Sequence, residues 1–230
     1  MYRRAFTLIE LLVTIAIIGV LVGLMMPVMA SVRTNSRQML GQSNLRQMAI
    51  ASNQYASQWD AFPPALRYEQ VNGAVHVVAW DWITVFGTDE LISPGPLWSY
   101  TDNPNQTMQC PGYYGSTNFE GDPYTGYNYN TSYLGAEAMS PVAGWDPQVI
   151  RQGARPDEVL RPSQCAMFGC GGYSGGTNKF MRAPSSPNGW PMSQIYAGGQ
   201  AFHYNGQTNV AYVDGHVGAV STPKRGNQPT

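Results

Sequence analysis

The run from Leu11 to Val32 contains 22 residues and no charged side chain. A helix of about 20 apolar residues spans the hydrocarbon core of a bilayer, so this stretch can be a membrane span or the core of a helical assembly. A basic pair, Arg3 and Arg4, precedes it, and one carboxylate, Glu10, stands at its edge. An ionisable side chain in an apolar helix costs roughly 2.5–3.5 kcal/mol or more, so Glu10 calls for a partner or a function. A secretory signal has a shorter apolar core followed by a small-residue cleavage site. Here the core is longer, carries an acid near its start and has no clear cleavage site after it. A plain signal anchor is the simpler alternative. Arg3 and Arg4 keep the amino terminus cytoplasmic by the positive-inside rule, which Arg33 and Arg37 oppose weakly.

The helix is expected to continue beyond the span. Leu45, Met48, Ser52, Tyr55 and Trp59 recur at steps of three and four, which is one face of a helix. Gly41 weakens the helix by about 1 kcal/mol relative to alanine and is expected to let it bend. Pro27 is expected to kink the span, with Gly19 and Gly23 as further interruptions. Pro63-Pro64 ends the helix. Phe6 to Trp59 would then be a rod of roughly 80 Å.

Beyond Phe62 the chain turns rich in Gly, Pro, Asn and aromatic residues, and only 12% of the whole is charged. A net charge of −1 without a clustered basic patch argues against a nucleic-acid surface. Low charge suits a subunit that packs against copies of itself. Residues 74–86 are strand or short helix, and GYNYNTSYLGAE contains a short strand. Val159-Leu160 and Gln164–Gly169 look like strand material. GCGGYSGG is a loop, and 177–200 has no confident element. Two β-forming runs flank Asp214-Gly215, which predicts a two-residue type I′ hairpin between strands near 208–213 and 216–221.

The string Arg4-Ala5-Phe6-Thr7-Leu8-Ile9-Glu10-Leu11-Leu12 resembles the leader and mature start of type IV pilins and type II secretion pseudopilins. The resemblance implies cleavage by a prepilin peptidase between Ala5 and Phe6, with alanine where the family usually has glycine, and N-methylation of Phe6. It also implies that Glu10 pairs with the methylated amino terminus of a neighbouring subunit and sets the register of assembly. The ending resembles that of a large group of bacterial prepilin-like proteins, through His203, Asn205-Gly206, Asn209-Val210 and Asp214-Gly215-His216-Val217. This chain has one residue more than usual between His203 and Asp214. Phe62-Pro63-Pro64, Cys110-Pro111 and Tyr127–Asn130 match more loosely.

The resemblance implies an α+β fold, a long amino-terminal helix packed on an antiparallel β-sheet head with long loops. The expected organisation is a leader at 1–5, a transmembrane and assembly helix at 6–30, its amphipathic continuation at 31–60, a β-rich head at 61–222 and an exposed tail at 223–230. The function it implies is a structural, non-catalytic filament subunit. Its partners would be copies of itself, other pilin-like subunits, the prepilin peptidase and an inner-membrane assembly platform, with no nucleic acid. The protein would be single-pass in the inner membrane, with its head extracytoplasmic, and then part of a periplasmic or surface filament. A minor tip subunit binding glycan or secreted cargo is the alternative, favoured if Tyr and Trp cluster on the end away from the membrane helix. Most of Trp59, Trp80, Trp82, Trp98, Trp145 and Trp190 are expected to fill cores.

Three cysteines, Cys110, Cys165 and Cys170, leave one thiol over in any pairing. Cys110 bonded to Cys165 or to Cys170, and all three free, are both open. The spacing matches no standard zinc pattern. No cofactor is expected. Some pseudopilins hold a structural calcium in a carboxy-terminal loop, for which Asp214, Asn209 and carbonyls in 171–200 are the oxygen candidates, although no EF-hand pattern is present.

Overall fold

The computed structural model describes residues 7–88, 91–115, 126–135, 153–172, 177–181 and 199–221. Helix α1, Leu8–Trp59, is 52 residues long, about 78 Å. Thr7 caps it, and Asp60, in the left-handed conformation at φ 54°, ends it ahead of Pro63-Pro64. The helix is continuous through Pro27.

Two sheets follow, so the chain is α+β. The first is antiparallel, in the order β1 (Leu66–Val71), β2 (Ala74–Ala79), β3 (Trp82–Val85) and β4 (Leu91–Pro94). A 3-10 turn, Pro96–Tyr100, and the short helix α2, Pro104–Thr107, lead out of it. The second sheet uses β5 (Tyr127–Asn130), β6 (Ala166–Gly172), β7 (Phe180–Met181), β8 (Gly199–Gln200), β9 (Gln207–Tyr212) and β10 (Val217–Ser221). Its order is β10-β9-β6-β5-β7, and β8 pairs with the end of β6 beyond β9. β5 and β7 run parallel, which makes this sheet mixed where a single antiparallel one was expected.

Several local expectations are corrected. Residues 74–86 are two strands, broken where Trp80 and Asp81 leave the ladder. Strand β6 runs through Gly172, four residues into the expected loop, because pairing with β5, β9 and β8 satisfies the glycine-rich backbone. Val159 and Leu160 are not strand. The final hairpin has a three-residue loop. Gly215 N–H donates to the Tyr212 carbonyl at 2.9 Å, and of Asp214 and Gly215 only Gly215 has positive φ, 88°. Two-residue turns with both φ positive lie instead at Asn72 (51°) and Gly73 (84°), joining β1 and β2, and at Asn205 (51°) and Gly206 (77°), between the bridged Tyr204 and Gln207.

The core sits between the second half of α1 and the two sheets. Trp80 from the first sheet meets Tyr129 of β5 and Phe168 of β6 at ring separations of 6.0 and 5.4 Å. Asp81 beside it receives the Lys179 ammonium at 3.1 Å, and both side chains are buried. Leu45, Met48 and Ser52 are buried as the helical stripe requires, Tyr55 is half-buried, and Trp59 is 60% exposed. The stripe ends one turn early. The buried face is completed by Ala49, Ala51 and Ala56, small residues that let the helix come close. Trp80 and Trp82 are buried and Trp98 is half-buried, whereas Trp145 and Trp190 lie outside the described residues.

Helix α1 runs alongside β9 and in the same direction. Gln38 Nε2 donates to Gln207 Oε1 at 2.9 Å, Gln42 Nε2 to Asn209 Oδ1 at 3.2 Å, and Asn53 Nδ2 to the Val213 carbonyl at 3.0 Å. From Gln38 to Asn53 a helix rises about 22 Å, and from Gln207 to Val213 a strand advances about 20 Å. The two repeats stay nearly in step, which is why side-chain amides can bridge them along this length. Gly41 makes the approach possible. A Cβ there would stand 2.8 Å from the Tyr204 hydroxyl and 3.1 Å from Asn209 Nδ2. The glycine expected to loosen the helix is a buried contact point.

Candidate functional site at the helix start

The first turn of α1 is built by a reciprocal cap. Thr7 Oγ1 accepts from the Glu10 N–H at 3.3 Å, while Glu10 Oε2 accepts from the Thr7 N–H at 2.8 Å and from Thr7 Oγ1 at 2.7 Å. The Thr-x-x-Glu spacing is a capping box, which satisfies donors that a helix start otherwise leaves open. The negative carboxylate also lies at the positive end of the helix dipole. Thr7 was missed in the sequence, although the capping-box signal was there to be read. Ala5 and Phe6 lie outside the described residues.

Below Glu10 the helix is bare. Leu12 is 57% and Ile17 56% exposed, and every described side chain from Leu8 to Met26 is exposed. The helix contains an 18-residue window of mean hydropathy 2.7, none of it buried by the rest of the protein. It is long and apolar enough to cross a membrane. An apolar surface of this extent does not face water in a stable soluble monomer.

The carboxy-terminal candidates do not converge. Asn209 is buried on β9, where its Nδ2 donates to the Gln38 carbonyl at 3.0 Å and its Oδ1 accepts from Gln42. Asp214 is exposed in the hairpin loop, where its Oδ1 accepts from the His216 N–H at 3.1 Å and lies 2.6 Å from His216 Nδ1. The His216 ring stacks on Tyr212 at 4.2 Å. Asn209 and Asp214 thus each serve their local structure, and most of the carbonyls in 171–200 lie outside the described residues. Among the described residues no three of His, Cys, Asp and Glu gather into a group that could hold a metal. His203 lies against the Tyr113 ring, 5.6 Å between centroids, and burial pushes its pKa down from 6.5. Its Nε2 is buried without a hydrogen-bond partner among the described residues. The cysteines do come together: Cys110 Sγ lies 3.8 Å from Cys170 Sγ, while Cys165 stands apart, half-buried at the start of β6.

At the far end of α1 the exposed Trp59 belongs to an aromatic group. Tyr55 lies 6.1 Å from its ring and 5.6 Å from that of Tyr100. Trp59 Nε1 donates to the Tyr100 hydroxyl at 3.0 Å, which donates onward to Gln58 Oε1 at 2.6 Å. A shallow groove beside it is lined by Ile50, Asn53, Ser57, Tyr100, Val213 and Asp214.

Residues 1–26 match the family model described as the prokaryotic N-terminal methylation motif. No curated protein and no solved structure matches the chain. The matched segment ends within the exposed apolar half of α1 and contains the capped Glu10. This chain carries a prepilin-type N-terminal methylation motif at the head of a membrane-length helix.

Proposed function

We propose that the protein is a structural subunit of a type IV pilus-like or type II secretion pseudopilus filament, cut between Ala5 and Phe6 and methylated on Phe6. Residues 6–30 hold it in the inner membrane, with the head extracytoplasmic, until an assembly platform draws it out. Prepilin peptidase, copies of this chain and other pilin-like subunits are its partners. The observation that carries this reading is the apolar half of α1, headed by the methylation motif and left unburied by the protein's own head. Bilayer lipid and then neighbouring subunits would cover it. Glu10, already held by Thr7, would exchange part of that bonding for the new amino terminus of a neighbour, recovering much of the cost of an apolar setting.

The test is the intact mass and amino-terminal sequence of the protein purified from its native membranes. A chain beginning at N-methylated Phe6 is the expected result. A chain beginning at Met1, in cells whose peptidase processes other substrates, sinks the proposal.

A tip subunit that binds glycan is the second reading. The observation favouring it is Trp59, exposed beside Tyr55, Tyr100 and an amide-lined groove at the end of α1 remote from the membrane half. Planar aromatic faces flanked by amides suit sugar rings. Quenching of tryptophan fluorescence by oligosaccharides, lost in Trp59→Ala, supports this reading, and no quenching across a glycan panel removes it.

A further inference from the structure

The second sheet brings Cys110 to Cys170 through three separate constraints. Asn44 of α1 donates to the carbonyls of Gln106 and Gln109 at 3.1 and 3.3 Å, pinning the segment just before Cys110 to the helix. Gly126, at φ 99°, passes so close that a Cβ there would lie 2.5 Å from Cys110 Cβ. The next residue, Tyr127, is paired with Cys170 in the β5–β6 register. Both cysteine side chains are fully buried, and their sulfurs are 3.8 Å apart. Closing to a bond of about 2.05 Å takes a movement of roughly 1.8 Å, within reach of side-chain rotation when the backbones already lie together.

We propose that Cys110 and Cys170 form a disulfide in the mature protein, with Cys165 left as a thiol. The inference rests on the head being extracytoplasmic, where disulfides form and persist. The oxidant is a disulfide-bearing thiol oxidoreductase or oxidised glutathione. The thiolate of one cysteine of the pair attacks one sulfur of the oxidant's disulfide, expelling a thiolate and giving a mixed disulfide. The other cysteine then loses its proton and attacks the protein sulfur of that mixed disulfide, expelling the second thiolate. Two electrons and two protons pass from the protein to the oxidant.

In the folded head their mutual hydrogen bond raises Cys170 well above its ordinary value, with burial adding to it, and lowers Cys110. Because neither thiol is accessible in the folded head, the exchange takes place before β6 is covered. The bond closes a loop of 60 residues and ties the segment after α2 to the central strand. Cys165 is displaced from the pair and its thiol is raised by burial, which disfavours thiolate chemistry.

The test is thiol mapping of the full-length protein, extracted in detergent from its native membranes, denatured without reductant and alkylated. Chymotryptic cleavage after Phe168 separates Cys165 from Cys170 before mass analysis. The expected result is a Cys110 peptide linked to a Cys170 peptide, with Cys165 alkylated. A Cys110–Cys165 link, or alkylation of both Cys110 and Cys170, overturns the proposal. Refolding the reduced full-length chain in a glutathione redox buffer then locates the failure. A Cys110–Cys170 link formed there but absent from the native protein faults the extracytoplasmic placement, and no link in either faults the pairing. The double variant Cys110→Ala with Cys170→Ala should melt about 10 °C lower than the oxidised protein, with a Tm indifferent to reductant.

Discussion

Leu12 and Leu45 stand on the same helix, yet the first is 57% exposed and the second wholly buried. The two halves of α1 place their apolar residues differently. In the second half the buried face is narrow, contains Ala49, Ala51 and Ala56, and is bounded by amides that reach β9. In the first half apolar side chains go all the way round, as a lipid-facing or bundle-forming helix requires. Hydropathy already tells them apart, since the apolar window of mean hydropathy 2.7 lies in the unburied half, whereas the second half carries Arg33, Arg37, Arg46 and many amides. What separates them is whether large residues lie on one face beside small ones, or on every face.

Substitutions matched across the two halves sharpen the contrast. The largest effect is expected at Glu10. Glu10→Ala should leave membrane insertion and the thermal stability of the head unchanged but abolish incorporation into filaments, measured by shearing and immunoblot. Normal incorporation would end the role proposed for that carboxylate. Next comes the core face. Met48→Ala should cost about 2–5 kcal/mol of head stability by denaturant unfolding. Ile17→Ala should change it by less than about 0.5 kcal/mol. Similar losses from the two would erase the distinction between the halves.

Glycines give a finer comparison. Gly41→Ala places a Cβ against Tyr204 and Asn209 and should destabilise the head by about 1–3 kcal/mol. Gly23→Ala meets nothing within 4 Å and should leave the head's stability unchanged. The smallest effect is a pH slope. His203 takes its proton less readily in the folded head than in the unfolded chain, whose value is 6.5. Stability should therefore be full above pH 6.5, decline as pH falls below it because the unfolded chain binds the proton first, and level off below the folded value. His203→Gln should flatten that slope in thermal melts between pH 7 and 5, with the apolar half of the helix indifferent throughout.

The long helix and the last hairpin were legible because each is written in local spacing. Trp59 was drawn into the core because a stripe traced by large residues overlooks the alanines that actually let the helix approach. The turn chemistry assigned to Asp214-Gly215 belongs to Asn72-Gly73 and to Asn205-Gly206, where both residues take positive φ. Asn-Gly carries the same signal, and it lay unread between LRYEQV and AVHVVA. Strands β7 and β8, two residues each, have no local pattern at all, since they exist only through pairing with β5 and β6. At the site, Glu10 stood out by its charge, whereas the Thr7 hydroxyl shows its role only when read together with the carboxylate three residues on. Cys110 and Cys170 could not be told from Cys165 until the β5–β6 register placed them side by side.

The amide rungs from Gln38 to Asn53 have a mechanical consequence. Because helix and strand advance nearly in step, tension along α1 loads Gln38–Gln207, Gln42–Asn209 and Asn53–Val213 together in shear, not one after another as in unzipping. A head fastened this way yields at a high force threshold and all at once. Were the helix drawn lengthwise, the head would travel with it as a rigid load and would not peel away.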